Sequence, residues 1–122
     1  MLYQILNSFL KQTDPEKAHN YAIKFLRQNI IPFDFFKFTT DQSLKIKVFG
    51  IDFDNPIGLA AGFDKNAEVY NSIFKLGFGF SEVGTITPEP QDGNMKPRVF
   101  RLNADQAIIN SLGFPNDGMN KV

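Results

Sequence analysis

The sequence predicts an α/β fold, an incomplete (β/α)8 barrel with a helical extension at its amino terminus. Three observations lead there. Apolar groups recur at helical spacing through residues 2–26. Strand, helix and strand signals then follow one another within residues 57–86, the pattern of a βαβ unit with parallel strands and a right-handed crossover. The join between that first strand and its helix, Asn55-Pro56-Ile57-Gly58-Leu59-Ala60-Ala61-Gly62-Phe63-Asp64-Lys65-Asn66, is nearly bare of side-chain volume.

Residues 2–11 place Leu2, Ile5, Leu6, Phe9 and Leu10 on one helical face. A second helix starts at Thr13-Asp14-Pro15-Glu16, with Asp14 as N-cap and Pro15 at the first helical position. It is expected to bury Ala18, Tyr21, Ala22, Phe25 and Leu26 and to fade near Asn29, before Pro32. Phe33, Phe35, Phe36 and Phe38 follow in an irregular segment. Two amphipathic helices and a phenylalanine cluster fit a cap packed on a larger domain; they also fit an apolar surface dipping into a bilayer interface.

Leu44, Ile46 and Val48 alternate with Lys45 and Lys47, and Ile51 and Phe53 alternate with Asp52 and Asp54, across a turn at Phe49-Gly50. That alternation is a β-hairpin. The small-residue strand at 57–61 comes next. Glycine weakens a strand, so Gly58, Ala60, Ala61 and Gly62 are read either as close helix-on-strand packing or as room for another body against the backbone. Ligands of parallel α/β folds bind beyond the carboxyl ends of the strands. Lys65 then falls in the first turn of the expected helix, where a cation opposes the macrodipole by about 0.3–1 kcal/mol unless an anion sits nearby. A local ion pair with Asp64 or Glu68 is the plainer reading of that lysine.

Asn66 caps that helix, Val69, Ile73, Phe74 and Leu76 form its apolar stripe, and Gly77 ends it. A second strand runs from Phe80 to Ile86. Residues 87–97 hold three prolines and a glycine and cannot be helical. Two short strands, 98–102 and 106–110, meet near Asn103-Ala104-Asp105. A long ordered excursion on the ligand side of a βα unit is more often functional than decorative. Met119-Asn120-Lys121-Val122 reads as the opening turn of a further helix. Two parallel strands cannot cover both faces of a sheet, and a complete barrel needs roughly 250 residues. The expectation is therefore an amino-terminal piece of a longer protein, prone to aggregate alone through open strand edges.

Composition excludes several function classes. Thirteen basic and thirteen acidic residues leave no global field to draw the chain to nucleic acid. Without cysteine there is no disulfide, thiolate nucleophile or cysteine metal site, and His19, the single histidine, leaves zinc without a ligand set. No metal site is expected. No apolar run approaches the roughly 20 residues that cross a bilayer. The amino terminus lacks a basic region, and Gln4 and Asn7 interrupt its apolar stretch, unlike a secretory signal.

The motifs together resemble the amino-terminal part of the membrane-associated, quinone-dependent (class 2) dihydroorotate dehydrogenases. Asp14-Pro15-Glu16-Lys17-Ala18-His19 and the stretch from Asn55 to Lys65 carry the likeness. It continues through Gly77-Phe78-Gly79, Glu82-Val83-Gly84-Thr85-Ile86-Thr87-Pro88 and Gly93-Asn94-Met95-Lys96-Pro97-Arg98-Val99-Phe100-Arg101-Leu102, and ends on Asn110-Ser111-Leu112-Gly113-Phe114.

The resemblance implies an FMN-binding TIM barrel that oxidises dihydroorotate to orotate in pyrimidine synthesis. In the family a serine base takes the C5 proton, the C6 hydride goes to the flavin, and electrons pass on to a membrane quinone. It implies a helical extension at 1–43 that docks on the membrane and admits quinone, and the start of the barrel at 44–122. Peripheral attachment to the cytoplasmic face of the inner membrane follows if the source is bacterial.

Residue by residue, Ala61, Gly62, Phe63, Asp64, Lys65 and Thr85 match flavin-contacting positions. Lys65 also matches a substrate contact, with Asn110, Ser111, Leu112, Gly113 and Phe114 as the orotate-binding segment. His19 and Arg101 match the lining of the quinone tunnel. The base falls beyond Val122, so this stretch alone is expected to be inactive. Pro115 stands where asparagine is commoner, and Ala67 replaces a frequent glycine, which within a helix would be slightly stabilising.

Two other readings compete: a class 1 or other FMN barrel oxidoreductase, which would lack the extension at 1–40, and a non-catalytic membrane-surface module, in which Lys65 and Asn110 would be replaceable.

Overall fold

A computed structural model describes residues 7, 8, 10–28 and 41–122. Leu2, Ile5, Leu6, Phe9 and the expected phenylalanine cluster at 33–38 lie outside them. Residues 7, 8 and 10–12 are helical, and the chain breaks at Thr13 before α1, Pro15–Arg27. Asp14 caps α1 as its sequence requires: its carboxylate accepts from Lys17 N at 2.9 Å, and Pro15 fills the first turn, where no donor is needed.

The buried face of α1 keeps Leu26 from the expected set, adds Ile23 and leaves out Tyr21 and Phe25. Ile23 and Leu26 are buried and Ala18 and Ala22 half-buried, whereas Tyr21 and Phe25 are 50% and 51% exposed. The stripe is wide enough for either set, and packing chose the Ile23–Leu26 side, facing the second helix.

A single 3-10 turn, Gln42–Leu44, leads into the hairpin of β1, Ile46–Val48, and β2, Ile51–Phe53, which pair antiparallel with Lys47 opposite Asp52. Phe49 and Gly50 both take positive φ, 50° and 79°, the mirror-image turn that matches strand twist. Leu44 belongs to the 3-10 turn and not to the strand.

The βαβ unit is present with shorter elements. β3 is Gly58–Leu59, α2 is Tyr70–Lys75 and β4 is Phe80–Ser81, with β3 and β4 parallel. Residues 61–69 form successive turns, so the helix begins at Tyr70 and Lys65 does not sit in its first turn. Asp64 is the cause. Its two carboxylate oxygens accept from Glu68 N at 2.7 Å and Val69 N at 2.8 Å, holding the loop in a wide turn. Asn66, expected to cap, instead accepts from Asp117 N at 3.0 Å. Gly77 does end α2, at φ 95°.

The core is the α1–α2 contact: Ile23, Leu26, Val69 and Ile73 are buried, with Leu59, Phe63, Leu76 and Phe78 packed around them. Ser72 Oγ donates to Leu26 O at 2.9 Å across the same seam. Phe74, expected in the stripe, is 48% exposed.

Residues 87–97 contain no helix. They wrap the segment that follows β6, with Gln91 and Asn116 paired in an isolated bridge. β5, Val99–Leu102, and β6, Ala107–Asn110, form the second antiparallel hairpin. The sheets are three separate pairs, with no closed barrel among the described residues. No helix among those residues is long and apolar enough to cross a membrane.

Candidate functional site

Two cavities meet at Lys65. The larger, about 550 Å³, lies beyond the carboxyl end of β3. Ala61, Gly62 and Lys65 line it on one side, Gly84 and Thr85 follow from β4, and residues 110–115 with Asn94 close it. It gathers nine of the residues singled out from the sequence: Ala61, Gly62, Lys65, Thr85, Asn110, Ser111, Leu112, Gly113 and Phe114. The smaller, about 450 Å³, lies between α1 and the turns at 62–68. It holds His19, Phe63, Asp64 and Glu16, and shares Gly62, Lys65, Asn110, Leu112 and Pro115 with the first.

The small residues have two different reasons to be small. At Gly58 a Cβ would fall 2.1 Å from the Phe80 ring, so its bareness comes from packing and not from a ligand. At Gly62, φ 100°, a Cβ would meet nothing within 4 Å. There the bare backbone opens on the larger cavity. Gly62 N is itself fixed by Gly84 O at 2.8 Å, and Asp64 O accepts from Gly84 N at 2.9 Å, so the two strand ends hold each other.

Lys65 Nζ donates to Gly62 O at 2.6 Å and lies 3.4 Å from His19 Nε2. A carboxylate partner from Asp64 or Glu68 is thus not what holds it. Burial is the main influence pulling the Lys65 ammonium below the ordinary lysine range. Burial, and then Lys65 itself, pushes His19 below its ordinary 6.5. The His19 ring stands edge-on to Phe63, centroids 5.3 Å apart.

The segment 110–114 is held from one side by the excursion. Asn94 Nδ2 donates to Ser111 O at 2.8 Å, Asn94 N to Leu112 O at 3.0 Å, and Gln91 Nε2 to Gly113 O at 2.7 Å. Gly113 has to be glycine, since a Cβ would fall 2.9 Å from Asn94. Asn110 Oδ1 accepts from Leu112 N at 3.3 Å in a local turn, and the residue is exposed on the cavity lining.

Asp64 and Arg101 are committed elsewhere. The Asp64 carboxylate, 1% exposed as a residue, serves the backbone. Arg101 lines neither cavity; its guanidinium donates to Leu10 O at 2.9 Å, Lys11 O at 3.1 Å and Thr13 O, closing the end of the first helix.

Sequence reasoning missed Arg98. It is 6% exposed, and its guanidinium meets both Glu16 oxygens at 2.6 and 3.2 Å. It donates further to Asp92 O at 2.6 Å and Asn94 O at 2.9 Å, with Leu112 O at 3.4 Å. The signal available was slight: an arginine opening a strand next to a proline.

A βαβ start with a cavity of mixed polar and apolar lining past its strand ends is the ligand-binding end of a parallel α/β protein. A family model described as Dihydroorotate dehydrogenase matches residues 43–122. The chain belongs to that family.

Among curated relatives, a "Dihydroorotate dehydrogenase (quinone)" of Azorhizobium caulinodans is 47% identical over 118 residues, 97% of this chain and 33% of that protein. One of Bartonella henselae is 54% identical over 111 residues, 91% and 30% respectively. The crystal structure of DHODH from Eimeria tenella in complex with ferulenol superposes with a TM-score of 0.85 at 46% identity, covering 97% of this chain and 31% of that one. The chain thus spans about a third of the length of the curated relatives it matches.

Proposed function

We propose that these residues are the amino-terminal part of a quinone-dependent dihydroorotate dehydrogenase, in which a (β/α)8 barrel oxidises dihydroorotate to orotate for pyrimidine synthesis. The observation that carries this is the larger cavity. Three separate stretches of chain bring Lys65, Thr85, Asn110 and the bare backbone of Ala61 and Gly62 to one space. The match extends over 97% of the chain, including the helical residues before β1, which favours the quinone-linked type over a relative without that extension.

The residues present fit FMN. Gly62 leaves an open ledge where a side chain would obstruct a flat ring, and Ala61 and Thr85 are exposed beside it. Ala61, Gly62, Lys65 and Thr85 would hold the cofactor, with Phe63 and Asp64 shaping the turn beneath. Bound there, FMN would supply the hydride acceptor for dihydroorotate and the electron relay to quinone.

The chain's own groups bind and orient. Lys65, its charge disfavoured by burial, gains most from an anion, and the carboxylate of the substrate supplies one. Asn110 donates its amide N–H to a carbonyl of the pyrimidine ring. Residues 111–114 present backbone groups fixed by Asn94 and Gln91. His19, in the smaller cavity beside α1, lies on the quinone path, and Arg101 holds the end of the helical segment that precedes α1. Residues 1–43 rest on the membrane surface, on the cytoplasmic face of the inner membrane in a bacterium.

Because the chain spans about a third of its relatives, activity belongs to the whole barrel, and residues 1–122 alone should not turn over. The test is a chimera joining these 122 residues to the remainder of the Azorhizobium caulinodans enzyme. It should reduce quinone with dihydroorotate, and Lys65→Ala should lower kcat/KM by about 100-fold or more. A chimera that folds and binds flavin yet ignores dihydroorotate would refute the reading.

A further inference from the structure

We infer that Arg98 is a positioning residue through which the helical extension sets the shape of the substrate-binding segment. One guanidinium joins three parts of the chain. Its Nε and Nη2 grip the carboxylate of Glu16, in the first turn of α1, at 3.2 and 2.6 Å. Its Nη1 donates to Asp92 O and Asn94 O of the excursion and reaches Leu112 O, inside the segment proposed to bind orotate.

The backbone of Arg98 joins in, since its carbonyl accepts from Ser111 N at 2.9 Å. Asn94, held by Arg98, in turn holds Ser111 O and Leu112 O. The site is built tightly: a Cβ at Gly93 would fall 2.7 Å from Arg98 Nη1 and 2.2 Å from Leu112 O.

The chemistry requires arginine. Only a planar fork with five donors can pair a carboxylate side-on and still serve carbonyls from its other edge. Glu16 in turn fixes the fork's rotation. With the carboxylate neutralised, a nine-tenths buried cation loses its counter-charge, and its hold on Asn94 O and Leu112 O slackens. Arg98 does not line the larger cavity; it acts through residues 111 and 112.

This role presupposes that residues 110–114 receive the pyrimidine, as proposed above. In the chimera, Arg98→Lys keeps the charge and loses the fork, and Glu16→Gln keeps the shape and loses the charge. Arg27→Met removes a different tie of α1, the exposed ion pair with Glu68 at 2.9 Å. Assayed with a soluble dye as electron acceptor, Arg98→Lys and Glu16→Gln should raise KM for dihydroorotate by about fivefold or more, with kcat within about twofold and flavin content unchanged. Arg27→Met should leave KM as it is.

Amide hydrogen exchange at Asn94 and Ser111 should accelerate in Glu16→Gln and not in Arg27→Met. Lower thermal stability with KM and exchange at 94 and 111 unchanged would overturn the inference, as would a shift in quinone KM alone. If Arg98→Lys fails to fold, Glu16→Gln decides. If the chimera does not oxidise dihydroorotate, the proposed function falls, and the exchange rates still decide whether Glu16 holds the segment.

Discussion

Lys65 and His19 meet at 3.4 Å, the lysine from the turn after β3 and the histidine from the middle of α1. An ammonium only donates, so the ring must present an unprotonated Nε2 to it. The contact joins the two cavities, because Lys65 lines both and His19 only the smaller.

His19 therefore titrates low. Burial first and Lys65 second depress it below 6.5, so the folded form binds this proton less readily than the unfolded chain. The sign follows: stability contributed by neutral His19 is full above about 6.5 and is lost as pH falls from there through the folded value. The His19 Hε1 resonance, assigned in the chimera by its loss in His19→Gln, follows the titration by NMR. Its midpoint should lie below 6.5 and move part of the way back in Lys65→Met, since burial remains. An unchanged midpoint would show that the two groups do not interact.

Glu16 behaves as an acid paired with a cation. The hydrogen bond from Arg98 is the main influence holding its carboxyl below the usual 4.5, against the opposing effect of burial. The pair's stabilisation is present above 4.5 and is lost as pH falls through the lowered folded value. Urea denaturation of the chimera should show an acid-side loss of stability that shrinks in Glu16→Gln.

Asp64→Ala should destabilise the chimera by about 2–4 kcal/mol, because it strips acceptors from the buried Val69 N and from Glu68 N together. Asp64→Asn, which keeps one oxygen, should cost about half as much. Equilibrium denaturation separates the two.

Ala67→Gly should stabilise the chimera by up to about 1 kcal/mol, the reverse of what a helical position predicts. Ala67 takes φ 54°, where a Cβ is strained. A thermal shift upward supports the turn; a downward shift would restore the helix.

That reversal shows where sequence reading stopped. Local signals fixed what local chemistry controls: Asp14 before Pro15, Phe49-Gly50 between alternating strands, Gly77 after an apolar stripe. The candidate site residues were named from motifs that span several separate segments, and the fold brings nine of them to the lining of one cavity. What escaped depended on partners far along the chain. Asp64 reaches the amides of Glu68 and Val69 and delays the helix, so Asn66 and Lys65 could not keep the helical places their spacing suggested. Gly58 is small for Phe80, from the other strand. Arg98 finds Glu16 across 82 residues, and no local pattern announces such a pair.

The measurement that bears most directly on the central claim is the absorbance spectrum of the purified chimera before and after anaerobic addition of dihydroorotate. A yellow protein whose flavin bands bleach on addition, while residues 1–122 alone remain colourless, is the predicted result. Stoichiometric flavin on the 122 residues alone, or a yellow chimera that dihydroorotate does not bleach, would contradict it.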